Sequence, residues 1–181
     1  MTVRKSWPTG DPAGHPIGDT RLVDAVLVTH DAAGVPRLGV LPDSTVALVT
    51  GNSDSPLTYS VGAFSAFTSR TGQGVERVVN DGAVKVATTA APSSNARIDV
   101  VWVKADFVAS GDADNTAVLG VTQGATAAVG SLVKPSIPAG ALELATATVS
   151  AGAVSTSSSS VVIQNTAAWT ALAGAPVPFS T

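Results

Sequence analysis

One run of residues constrains the fold more than any other: Ala96-Arg97-Ile98-Asp99-Val100-Val101-Trp102-Val103. Its β-branched and aromatic content favours a strand. Side chains alternate across a strand, so Arg97 and Asp99 share one face while Ile98, Val100 and Trp102 share the other. A charged pair at the mouth of an apolar strand needs internal satisfaction. The expected role of Arg97 and Asp99 is therefore structural, a network at the strand start that fixes the preceding loop. Trp102, inside the strand, is expected in the core.

The rest of the chain repeats the β signal. Val46–Val49, Leu57–Val61, Ala117–Gln123, residues 142–149 and Val161–Gln164 are short apolar runs bounded by Gly, Asn, Asp, Ser or Pro. Val75–Val79 and Ala83–Ala87 flank Asn80-Asp81-Gly82. Asp-Gly suits a tight hairpin, which makes this pair the clearest hairpin prediction. Asp19-Thr20 offers an N-cap, and Leu22, Val23, Val26 and Leu27 would share one helical face, so a short helix is expected near residues 19–29, with a strand as its serious rival because of the β-branched content. Asp31 to Pro36 reads as a turn, and Ser155 to Ser160 as a solvated Ser/Thr turn. The expected fold is an all-β, sandwich-like domain over residues 19–165, with a possible sub-boundary near 125–140. Residues 1–18 and 166–181 are expected to be extended arms rich in Pro. Their anchors would be Trp7 and Ile17 at one end and Trp169 and Phe179 at the other. Pro135 and Pro138 bound a rigid extended linker that ends at Gly140.

Composition narrows the function. The 181 residues are 45% hydrophobic, yet only 4% are aromatic and 13% charged. That charged share is about half the usual one, which leaves a free monomer poorly protected against association. A net charge of -3 with scattered basic residues argues against nucleic acid as a partner. Without cysteine there are neither disulfides nor thiolate metal sites. Arg4 and Lys5 precede no apolar segment, so the start does not read as a signal peptide, and no run is long enough for a membrane helix.

Catalytic and cofactor chemistry finds little support. His15 and His30 fall short of a zinc ligand set. Asp112-Ala113-Asp114-Asn115 has carboxylates two apart but lacks the glycine and final glutamate of a calcium loop. Thr71-Gly72-Gln73-Gly74 lacks the Lys-Ser/Thr of a phosphate loop. No Gly-x-Ser-x-Gly elbow occurs. The expectation is a non-enzyme without catalytic residues, metal or cofactor.

Several segments together resemble a known group. They are Arg21-Leu22-Val23-Asp24-Ala25-Val26-Leu27-Val28, Gly39-Val40-Leu41-Pro42, Leu48-Val49-Thr50, Ala96-Arg97-Ile98-Asp99-Val100-Val101, Gln123-Gly124 and Pro135-x-x-Pro138-x-Gly140-Ala141-Leu142-x-Leu144-Ala145. Over roughly residues 20–165 this order resembles small β domains of tailed-bacteriophage structural proteins, of the minor tail, baseplate or tail-fibre type found in phages of actinobacteria. The resemblance implies a virion structural protein that forms a trimer or another cyclic oligomer and attaches to other phage tail or capsid proteins. It supplies no catalytic residues. No fibre shaft, collagen-like repeat or carbohydrate-binding head is evident, which weakens a receptor-binding fibre and leaves an adaptor, a baseplate component or a capsid-surface decoration protein, with a tail-tip or baseplate subunit as the first expectation. A capsid decoration or head-fibre protein is the alternative, followed by a carbohydrate-binding adhesion module.

Overall fold

Three short antiparallel sheets carry the fold, seen in a computed structural model that describes residues 3–5, 17–42, 47–53, 57–70 and 74–175. The largest sheet orders β11 (Val161–Asn165), β10 (Leu142–Ser150), β8 (Ala96–Ala105) and β9 (Ala117–Gln123). A second orders β1 (Val3–Lys5), β6 (Glu76–Asn80), β5 (Phe64–Thr68) and β2 (Gly39–Val40). The third orders β3 (Val49–Gly51), β4 (Thr58–Val61) and β7 (Val84–Ala87).

Alternation along β8 sets the layers. Val101, Val103 and Ala105 face inward with Ala145, Ala147 and Val149 of β10. Opposite them lie Val40, Phe64, Ala66 and Val78 of the second sheet and Val49, Tyr59, Val61 and Val86 of the third. The result is an all-β, sandwich-like domain in which one sheet packs against two smaller ones. Small side chains on β10 let the layers approach closely, which suits a core with few aromatics.

Polar side chains join the sheet edges. Val49 N–H donates to Asn165 Oδ1 (2.7 Å) and Asn165 Nδ2 donates to the Val49 carbonyl (3.1 Å). The Asn165 amide thus imitates one rung of a strand ladder between β11 and β3. The Asn80 amide donates to the Gly62 carbonyl (2.5 Å), tying the end of β6 to the β4–β5 turn.

That tie accounts for a correction. Asp81-Gly82 does not close a hairpin: β6 pairs with β5 and β1, whereas β7 pairs with β4 in another sheet. Gly82 is not among the glycines with positive φ, so the tight-turn geometry is not adopted. The chain crosses between sheets there instead.

The helix α1 (Ile17–Ala25) ends before the expected residue 29, and residues 26 and 27 form a turn. It covers a small second core of Ala25, Val28, Phe67 and Val75 on the far side of β5. The segment 166–175 is woven into the domain. Val40 N–H bonds the Ala168 carbonyl (2.8 Å), Thr29 N–H the Ala171 carbonyl (3.0 Å) and Ala173 N–H the Leu27 carbonyl (2.9 Å). Val3–Lys5 pairs with β6 of its own chain.

Candidate functional site

The polar cluster nearest to chemistry is built on Asp99, which is 0% exposed. Arg97 Nε donates to Asp99 Oδ1 (2.7 Å), while Tyr59 Oη (2.9 Å) and Thr88 Oγ1 (2.7 Å) both donate to Oδ2. Arg97 also donates to the carbonyls of Ala90 (2.6 Å) and Thr89 (2.8 Å), and Gln123 Nε2 donates to Thr88 Oγ1 (3.0 Å). Strand β8 places Arg97 and Asp99 on the inner face, β4 delivers Tyr59 from the opposing layer, and β9 delivers Gln123. Burial first, and then the Asp99 carboxylate, push the Tyr59 phenol well above its ordinary range.

Chemically this cluster is closed. Both Asp99 oxygens are occupied, and its three partners are themselves held. Hydrogen bonds to a buried carboxylate at this density fix a fold. Arg97 and Asp99 therefore come together as the sequence suggests, at the loop that precedes β8. Tyr59 and Thr88, 40 and 11 positions away from Asp99, carry no local signal that pairs them with it.

A second charged cluster lies where β8 ends. Arg70 grips Asp112 through both terminal guanidinium nitrogens, and Lys104 Nζ reaches Asp106 (2.7 Å) and Asp112 (3.1 Å). Phe107 N–H adds a bond to Asp112 (2.8 Å). The Arg70 bond is the main cause that holds the Asp112 carboxyl well below the usual carboxylate range. The Asp112–Asn115 stretch is thus spent on internal bonds, with Asp114 capping Thr116 N–H (2.9 Å) and Asn115 accepting from Val108 N–H (3.0 Å). Among the described residues, no group of three or more His, Cys, Asp or Glu is placed to hold a metal ion. No helix among them is long and apolar enough to cross a membrane.

Trp102 departs from expectation. It is half-buried on the outer face of its sheet rather than in the core. Its indole lies across Gly120, where a Cβ would collide with the ring, and its Nε1 donates to Thr122 (2.9 Å). Pro135 packs beside Gly124, and the Pro138 carbonyl accepts from Ala141 N–H (3.0 Å). Gly140 takes a positive φ of 77° against the Arg70 side chain, which closes the linker onto the second cluster. Trp169, expected as an arm anchor, packs against the main core of its own domain and bridges Val40. Ile17 opens α1, and only its backbone is described. Trp7 and Phe179 lie outside the described residues. In the Ser155–Ser160 turn, Thr156 is buried: it accepts from Asn52 N–H (2.7 Å) and donates to the Thr58 carbonyl.

The feature that sequence reading missed is the orientation of α1. Its Arg21 and Asp24 point inward. Arg21 Nε meets Glu76 Oε1 at 2.6 Å and Asp24 Oδ1 meets Arg77 at 3.2 Å, with Arg21, Asp24 and Glu76 all buried. Burial pushes the Glu76 and Asp24 carboxyls up, and Arg21 and Arg77 respectively oppose that shift. The aliphatic residues Leu22, Val23, Val26 and Leu27 point outward, and Leu172 lies next to them through the Val28–Leu172 bridge. The spacing in the sequence groups these residues on one face but does not say which way that face turns. No protein-family model, curated protein or solved structure matches the chain.

Proposed function

We propose that the chain is a non-enzymatic structural subunit of a tailed-bacteriophage virion, incorporated as an oligomer at the tail tip or baseplate. The observation that carries this reading is the placement of side chains at α1, where Arg21 and Asp24 turn inward to ion pairs while Leu22 and Val23 face outward. Arg21, Asp24, Glu76, Arg97 and Asp99 are buried, and Arg70, Lys104, Asp106 and Asp112 bind one another. A chain with so few charges to begin with is left with a surface suited to being covered by neighbours. The closed Asp99 cluster supports a scaffold role, because its polar groups hold strands together and have no capacity left for a substrate.

The test is quantitative mass spectrometry on gradient-purified particles of the phage that encodes it, with heads and tails separated. The expected result is several copies per particle in the tail fraction. Recovery with heads alone would move the chain to a capsid decoration role. Its absence from both fractions would overturn the virion reading.

A further inference from the structure

The outer edge of β6 is a site whose occupant is visible. Strand β1 pairs with it antiparallel, Val3 opposite Asn80, Arg4 opposite Val79 and Lys5 opposite Val78. Strand β5 holds the other edge of β6, so β1 completes that sheet at one end. An uncovered strand edge presents unpaired N–H and C=O groups that take up an extended backbone of matching register. What the edge calls for is therefore a strand, and the segment that supplies it is Val3–Lys5.

The connection from β1 to α1 is longer than its own-chain route needs. From Lys5 that route follows β6 from Val78 to Val75, whose N–H donates to the Arg21 carbonyl (3.0 Å), and runs one helical turn back to Ile17. At ordinary strand and helix spacings this path is at most about 27 Å, whereas residues 6–16 can extend over about 40 Å. The same segment holds Pro8, Pro12 and Pro16, whose fixed φ favours extension over a compact return.

On the virion-subunit reading, we infer that β1 is exchanged between copies of this chain, so that in the assembled form Val3–Lys5 of one copy lies on β6 of a neighbour. The exchanged ladder has the register and backbone bonds of the closed chain, so the two arrangements differ only in connection and concentration. A linker of this length holds β1 near its own β6 at an effective concentration of the order of millimolar. Subunits seated side by side on one particle are tethered in the same sense, so a neighbour's β6 competes on equal terms there and not in dilute solution. The surplus length of residues 6–16 is what lets the strand reach across.

The experiment exploits a chain without native cysteine. Register partners on antiparallel strands lie about 4.5–5.5 Å apart at Cα, within the span of a disulfide. Full-length Arg4→Cys and Val79→Cys are purified separately, mixed across a concentration series and mildly oxidised, and linked chains are measured by non-reducing electrophoresis and intact mass. Val79 is outside the main core, and circular dichroism checks the fold of each variant. Mixing Arg4→Cys with Val154→Cys, at an exposed residue beyond β10, measures random collision. Both substitutions in one chain, Arg4→Cys with Val79→Cys, report whether β1 sits on β6 at all. The expected result is linkage between positions 4 and 79 of different chains about tenfold or more above the control at high concentration. The double variant should close within one chain on dilution. Linkage no greater than the control at every concentration, with the double variant closing normally, keeps each β1 on its own chain and overturns the inference while the virion reading stands. A double variant that closes neither within nor between chains removes β1 from β6 and also overturns it. The virion reading fails on a separate readout, the absence of the chain from purified particles.

Discussion

Asp99 shows how a single residue can organise two strands and a loop. Its two oxygens gather Arg97 from its own strand, Tyr59 from the opposing layer and Thr88 from the loop after β7. Tyr59→Phe removes one hydrogen bond to a buried carboxylate and is expected to cost about 1.5–3 kcal/mol at neutral pH, read by chemical denaturation. It also changes the alkaline limb. The unfolded chain releases the tyrosine proton near pH 10, whereas the folded protein, with its phenol pushed up, retains it. The folded state then holds more protons, so this contribution is complete below pH ~10 and falls above it by about 1.4 kcal/mol per pH unit. The variant should lack that slope. Asp112 has the opposite sign: its carboxyl is held low, so its contribution is present above the ordinary carboxylate range and is lost as pH falls below it. Asp112→Asn should flatten that part of an acid-unfolding profile. Trp102 sits half-buried on Gly120, so Trp102→Ala should cost about 2 kcal/mol, short of the 3–5 kcal/mol of a fully buried aromatic.

At the scale of elements, what could be read from the sequence depended on whether the cause was local. Strand β9 runs from Ala117 to Gln123 as its pattern predicts, and β8, β10 and β11 fall within a residue or two of their predicted ends. Strand β5 was missed because Phe64-Ser65-Ala66-Phe67-Thr68 buries both faces, one on the main core and one under the helix, so its alternation is blurred. The Asp81-Gly82 hairpin failed for a non-local reason, the hold of Asn80 on the β4–β5 turn. Periodicity cannot tell which face of α1 or β8 is inner, and Arg21 and Asp24 of the one and Arg97 and Asp99 of the other turn inward. The α1 ion pairs give the sharpest test. Glu76→Leu alone takes the buried carboxylate away from Arg21 and should cost about 3–5 kcal/mol, whereas Arg21→Met with Glu76→Leu should recover most of that loss. Hydrogen exchange on residues 17–28 would follow the helix loosening in the single variant and holding in the double.

For the whole molecule, an apolar core holds the layers face to face and buried polar groups tie their edges. The sheets are joined by Asn165, Asn80 and the Asp99 cluster, and the outward side of α1 is left aliphatic. The composition made this division legible as a shortage of charge, but not where the few charges would go. The most direct test of the proposed virion role is a high-resolution reconstruction of a phage particle that carries this chain. The account predicts several copies of this sandwich at the tail tip. A virion in which no density accommodates the sandwich would contradict it.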